Sequence, residues 1–261
     1  MTTMNNVLSI DIGSTRTHLA AVDVDTLSSA CRIGFDNTDF NARFLPSIKN
    51  IISGCQHIAK VNITSCVKIL AVKAKDLCGS FDDVNIIRHH DNLPISVNYE
   101  NPQTLGTDRL CNALACASMF NGQNCIIIDS GTAITIDYLR GGKTFEGGAI
   151  LPGCATQARA LHRQTDALPS VNLRGIDDDT VSIPATSTEK CINAGILLGT
   201  AGAVERCICE YLRINGSKGN NDTVIAATGG GWEIIRPLVN INHHTIKTIP
   251  DLTLIGAALY I

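Results

Sequence analysis

Two short stretches of the chain carry the residue types that handle phosphate. Asp11-Ile12-Gly13-Ser14-Thr15 follows the apolar run Val7-Leu8-Ser9-Ile10, and Asp129-Ser130-Gly131-Thr132-Ala133 follows Cys125-Ile126-Ile127-Ile128. In each, a glycine lets the backbone approach a ligand closely. Backbone N–H groups and the neighbouring Ser/Thr hydroxyls can donate to phosphate oxygens. The aspartate at the strand end can hold a cation directly or through water. Asp, Gly and Ser are also common turn residues, so one such stretch alone reads as a hairpin turn. Two copies point to chemistry. A shift of 118 positions superposes Asp11 on Asp129, Ile10 on Ile128, Gly13 on Gly131, Ser14 on Thr132 and Thr17 on Thr135. Facing turns of this kind would clamp a polyphosphate and its metal from both sides. A third stretch, Thr223 to Gly231, is an apolar strand ending in Gly229-Gly230-Gly231, where a flat ring such as adenine can lie against the backbone.

The elements that position these residues follow from the hydrophobic pattern. Leu19-Ala20-Ala21-Val22 reads as the return strand of a hairpin, so a strand–acidic turn–strand unit opens each half of the chain. Between the halves, Tyr99 to Arg109 leads into a helix with Leu110, Ala113, Leu114 and Ala117 on one face. Asp108 stands at its start. It can serve as an N-cap or first-turn acid, or as a general base that accepts a hydroxyl proton. Arg109 is either a surface charge or the partner of an anionic substrate group.

Composition narrows the classes further. The 261 residues are 44% hydrophobic and 17% charged with a net charge of −3, which fits a globular protein with a sizeable core. No Lys/Arg run stands out and aromatics are only 4%, against a dedicated nucleic-acid binder. The 11 cysteines form no C-x-x-C pair and sit mostly among apolar neighbours, which predicts packing thiols outside the ligand contacts. The first six residues carry no signal-peptide pattern and no apolar stretch approaches a membrane span, so a reducing cytoplasm is expected. His89-His90 and His243-His244 read as exposed loops, and Asp177-Asp178-Asp179 as a solvated loop without EF-hand spacing. Trp232 is expected to pack a helix start.

The order acidic turn, acidic turn, strand-Gly-Gly is similar to the actin-like ATPase superfamily of acetate and sugar kinases. More specifically, the chain resembles the type III pantothenate kinases. The resemblance rests on Asp11 to Thr15; on Tyr99, Asn101, Pro102 and Leu105 to Arg109; and on Asp129 to Ala133. It continues through Gly147 to Gly153, Leu161, Thr165, Leu168, Pro169, Thr188, Gly195 and Gly199, then Thr228 to Gly230 and Leu252 to Gly256. It implies an α/β fold of two actin-like (ribonuclease H-like) domains with ATP in the cleft between them. Their expected extents are residues 1–119, with the first phosphate loop and the substrate segment 99–109, and 120–261, with the second loop and the adenosine motif.

The resemblance also implies roles. Asp11, Ile12, Gly13, Ser14, Thr15, Arg16, Thr17 and His18 would form the first ATP loop, with Thr132, Gly229 and Gly230 also on ATP. Tyr99, Gly106, Thr107, Asp108, Arg109 and Thr188 would bind pantothenate, Asp108 being the base. Asp129 would hold a monovalent cation, potassium or ammonium, and Asp11 a magnesium ion, directly or through water. A homodimer with its pocket near the interface would make 4′-phosphopantothenate, the start of coenzyme A synthesis. Ser14 stands where the family has Asn, Ser130 where it has an aromatic, and Ser187 where it prefers Asn. The segment from Asp25 to Asn98 matches least. Two other readings use the same residues: a different small-molecule kinase of the superfamily, or a catalytically silent nucleotide-binding relative with an accessory or regulatory role.

Overall fold

Val7, Leu8, Ile10 and Ile12 are buried on both faces of β1 (Asn6–Ile12), as suits a strand with neighbours on each side. In the computed structural model, which describes residues 6–55, 57–89, 93–173, 181–215, 223–241 and 244–260, β1 forms a meander with β2 (Arg16–Asp23) and β3 (Ser28–Asp36). After α1 (Phe40–Gly54), β4 (Ile58–Ser65) returns parallel to β1, followed by α2 (Lys68–Leu77) and β5 (Val84–Ile86). The sheet order is β3-β2-β1-β4-β5.

A short β6 (Ser96–Val97) precedes α3 (Thr107–Met119), and the plan then repeats. β7 (Asn124–Ser130), β8 (Ala133–Arg140) and β9 (Thr144–Pro152) are followed by α4 (Cys154–Gln164) and α5 (Thr188–Asn215). Next come β10 (Thr223–Thr228), α6 (Trp232–Ile235), β11 (Ile246–Thr248) and α7 (Leu252–Ala258). The second sheet runs β11-β10-β7-β8-β9-β6. Without β6 this is the strand order of the first sheet. β7 repeats the burial pattern of β1 position by position, and β8 repeats that of β2 over its first seven residues. That second match sets buried Thr17 against Ile134, not Thr135. The reason lies in the turns: Gly13 N–H bonds to Arg16 O, whereas Gly131 N–H bonds to Ala133 O, so the second hairpin is one residue shorter.

Two compact units emerge. One comprises Met1–Gln123, Leu139–Glu146 and Asp251–Ile261, the other Asn124–Tyr138 and Gly147–Pro250. In the first unit, α3 is buried all round from Arg109 to Cys116, not on one face as its apolar spacing predicts. The cover is α7. Its Gly256 backbone lies so close to Cys111 that an added Cβ would sit 2.8 Å from the Cys111 Cα, and Thr253 Oγ1 donates to Asn112 Oδ1 at 2.9 Å. In the second unit, the helix from Thr188 to Ile214 within α5 is long and apolar enough to cross a membrane by length and composition alone, with an 18-residue window of mean hydropathy 1.2, contrary to the expectation that no apolar stretch approaches a membrane span. Half of that window is buried inside the protein. Its Ile192, Ile196, Leu197, Val204 and Ile208 belong to the same core as Ile126 and Ile128 of β7, the packing of an interior helix.

Candidate active site

The first acidic turn is braced by a residue that pattern reading passed over. Asn37 Nδ2 donates to Gly13 O at 2.8 Å, Asn37 Oδ1 accepts from Thr17 Oγ1 at 2.7 Å, and Asn37 N–H reaches Thr15 O at 2.8 Å. Thr17 is fully buried in this role, while Ser14, Thr15 and Arg16 are exposed at the turn. Arg16 also pairs with Asp36 at 3.3 Å. His18 lies behind the turn. Burial, then Arg32 and Arg16, push its pKa down to about 4 against an opposing pull from Asp251, so its ring is neutral at physiological pH.

The parallel pairing of β1 with β4 sets Asp11 beside Thr64 and Ile12 beside Ser65. The start of α3 is anchored there. Thr64 Oγ1 donates to Thr107 Oγ1 at 2.8 Å, and Ser65 N–H approaches the same oxygen at 3.4 Å. Asp108 is therefore a first-turn acid at the C-terminal edge of the first sheet. One of its oxygens accepts the Arg109 N–H at 2.8 Å, and the other accepts the Cys66 thiol at 3.2 Å. Buried Cys111 reports on the same place. Its pKa is raised first by burial, and also by both Asp11 and Asp108, so the two carboxylates act on one thiol.

Arg109 is not a surface charge: it is 5% exposed. Its guanidinium lies 5.7 Å from the Tyr99 ring centroid and 5.5 Å from that of Phe145, an aromatic cage for a cation. Gly106 leaves room for the Asp108 carboxylate, which an added Cβ would strike. Leu105 O is held by His89 Nε2 at 2.7 Å, so His89 is half-buried and not in an exposed loop; His90, His243 and Asp177 to Asp179 lie outside the described residues.

The cysteines need a correction. Of the 11, Cys31, Cys66, Cys191 and Cys209 are exposed and Cys55 and Cys207 half-buried, because they stand on the outer sides of β3 and α5 or just past the ends of α1 and β4. Cys66 in particular touches the candidate base. It is 42 residues distant from Asp108 in sequence, which no local pattern links.

The second unit builds the second turn. β10 runs parallel to β7 and sets Asp129 beside Thr228, as Asp11 stands beside Thr64. Gly229, at φ +88°, lies against the turn: an added Cβ would strike Ser130 O and fall 2.6 Å from Asp129 Oδ1. Gly231 N–H donates to Ser130 O at 2.8 Å, and a Cβ on Gly231 would lie 2.7 Å from Ser130 Oγ. The small Ser130 thus lets the glycine cluster close onto the turn. Gly230 faces open space. Thr132 is exposed, and its carbonyl is fixed by Gly153 N–H at 3.0 Å and Thr156 Oγ1 at 2.7 Å. Trp232 opens α6, fully buried, with its indole N–H on Thr248 Oγ1 at 3.0 Å. Thr188 is the exposed first residue of α5, where Ser187 Oγ caps the helix by accepting Lys190 N–H at 3.3 Å.

Asp11 to His18, Tyr99 and Gly106 to Arg109 therefore belong to the first unit, and Asp129, Thr132, Thr188, Gly229 and Gly230 to the second. Asn37, Thr64, Cys66 and Thr156 were missed. Asn37 alone had a readable signal, an Asp-Asn-Thr turn directly after a strand.

The chain is similar to known proteins along its length. It is 30% identical over 259 residues to a type III pantothenate kinase of Legionella pneumophila, covering 97% of each chain. It is 30% identical over 244 residues to one of Persephonella marina, covering 91% of this chain and 92% of that one. Among solved structures, the activator of the 2-hydroxyisocaproyl-CoA dehydratase from Clostridium difficile with bound ADPNP shares the fold. Its TM-score is 0.52 at 16% identity, over 98% of this chain and 93% of that one. The family model of the type III pantothenate kinases matches residues 7–210, and the chain belongs to that family.

Proposed function

We propose that this protein transfers the γ-phosphoryl group of ATP to the primary hydroxyl of pantothenate, giving 4′-phosphopantothenate for coenzyme A synthesis. One observation carries the chemical part: Asp108 stands beside the Asp11 strand end, and among the described residues one of its carboxylate oxygens is held by a thiol alone. A thiol is a weak donor, and a substrate hydroxyl can displace it. Asp108 then accepts the hydroxyl proton as the oxygen attacks phosphorus and ADP leaves. Ser14, Thr15 and the amides of both turns bind phosphate oxygens, and Gly230, with open space above it, receives the adenine. Arg109, held in its aromatic cage beside Tyr99, supplies the fixed positive charge that suits the pantothenate carboxylate, and Thr188 adds a hydroxyl.

The carboxylates of Asp11 and Asp129 fit hard cations, magnesium at the first and potassium or ammonium at the second. Among the described residues no three His, Cys, Asp or Glu side chains cluster for a metal. Each ion would therefore complete its shell with backbone oxygens, water and phosphate, as magnesium does in kinases. When bound, these cations neutralise phosphate charge. We also read the protein as a cytoplasmic homodimer. Ile150 and Leu161 are exposed, and a groove of about 480 Å³ lies between α4 and α5, lined by Leu161, Ile192, Gly195 and Ile196 among others. Large exposed apolar features of this kind mark interaction surfaces.

The test is pantothenate-dependent ADP release measured with potassium and then with sodium. Turnover that needs pantothenate and falls sharply in sodium is the expected result. ADP release only with another acceptor would favour a different small-molecule kinase, and activity indifferent to the cation would remove Asp129 from the cation role.

A further inference from the structure

We propose that Cys31 and Cys55 form a redox-active dithiol, which a low-molecular-weight disulfide converts into a disulfide bridge within the chain. The two sulfurs are 3.3 Å apart, with the Cys55 thiol donating to Cys31. A disulfide bond is about 2.05 Å, so side-chain rotation has a little over an ångström to close. This proximity is built by the backbone. In the pairing of β2 with β3, Leu19 faces Ile33 and Ala21 faces Ala30, so Cys31 and Arg32 together oppose Ala20. That is a β-bulge, a device that re-aims a side chain. Cys31 stands at φ +56°, a conformation that favours glycine and is strained for a cysteine. On the other side, Gly54 ends α1, and a Cβ there would lie 2.7 Å from the Cys31 sulfur. The strained bulge and the absent side chain together bring one thiol to the other.

Access and order of reaction also fit. Cys31 is exposed. A cavity of about 400 Å³, lined by Ile52, Cys55, His57, Ile58 and Phe81, opens beside Cys55 and can take the substituents of a small disulfide. Burial, followed by the Cys31 neighbour, raises the Cys55 pKa, and Cys31, the exposed member of the pair, is the thiol that meets a dissolved disulfide first. The Cys31 thiolate attacks one sulfur of the small disulfide. A Cys31 mixed disulfide forms and the first small thiol leaves. Cys55 then loses its proton to solvent and attacks the Cys31 sulfur, displacing the second small thiol. Two protein thiols are oxidised by two electrons, one small disulfide is reduced to two small thiols, and protons balance. The loop so closed contains Asn37, the brace of the first acidic turn.

The full-length protein would be reduced, desalted and equilibrated with increasing glutathione disulfide over glutathione, then acid-quenched, alkylated and mapped by mass spectrometry. A linked pair of Cys31 and Cys55 peptides, two hydrogens lighter, is expected. It should appear at a glutathione disulfide level about tenfold or more below that which modifies Cys66 or Cys191, because the second thiol is already in place. Cys55→Ser should trap the glutathione adduct on Cys31. Cys31→Gly, which suits the bulge conformation, should abolish both products in a folded protein. Separate glutathione adducts on Cys31 and Cys55 in the unaltered chain would overturn the proposal, as would a link that forms only when the other exposed thiols react.

Discussion

Asp108 has two jobs that one substitution can separate. Its carboxylate accepts the Arg109 amide and so helps the start of α3, and in the proposed reaction it takes a proton. Asn keeps an acceptor oxygen of nearly the same shape but has no basicity. Asp108→Asn is therefore expected to lower kcat by about 10²-fold to 10⁴-fold, the usual range for a lost general base, while ATP binding by calorimetry stays within a few-fold. A variant that keeps more than a tenth of the activity would take Asp108 out of the proton-transfer role. Asp108 could be read from the chain because a helix start announces itself locally. Arg109 was less readable. Whether an arginine is solvated or caged depends on Tyr99 and Phe145, brought in from 10 and 36 positions away. The Cys66–Asp108 contact had no local signal at all.

At the scale of elements, the duplication was legible where short strands and their turns repeat, and blurred elsewhere. Asp11 and Asp129 align because β1 and β7 are identical in length and burial. Alignment fails one residue past the turn, at Thr17 and Thr135, since a turn shortened by one residue leaves no trace in a residue-type match. The likeness of β4 to β10, with Thr64 and Thr228 in corresponding places, is hidden by unequal helical insertions before them: α1 in the first unit, α4 and α5 in the second. The glycine cluster after β10 then divides its labour. Gly229 has positive φ and packs on Asp129 and Ser130, whereas Gly230 meets nothing within 4 Å. Gly229→Ala should cost stability, by roughly 1–3 kcal/mol from backbone strain alone, and lower the thermal midpoint by several degrees. Gly230→Ala should leave the midpoint unchanged and instead raise the KM for ATP. Thermal scans and ATP titrations of both variants check the division, and equal midpoints for the pair would contradict the packing described for Gly229.

At the scale of the whole chain, long-range ties decide what periodicity cannot show. The C-terminal segment packs in the first unit through Ser29 Oγ on Asp251, Asn62 on the Ala257 and Tyr260 carbonyls, and Arg32 with Asp251 at 2.6 Å. These partners are some 200 residues apart, so neither helix nor strand spacing links them. They also create the electrostatic setting of His18, which burial and the guanidinium groups of Arg32 and Arg16 hold neutral down to about pH 4. Its ordinary value in an unfolded chain is 6.5. Between those two values the unfolded chain binds a proton that the folded chain refuses, so stability rises with pH there. The contribution is present above pH 6.5 and is lost progressively as pH falls toward 4, amounting to roughly 2 kcal/mol at pH 5. His18→Gln removes the titration and keeps a polar side chain in place. Urea unfolding of both proteins at pH 7 and pH 5 should show the unaltered chain losing roughly 2 kcal/mol more than the variant over that interval. Parallel losses would mean that His18 takes up its proton in the folded protein as readily as in the unfolded one, and that the arginines beside it exert no net hold on its charge.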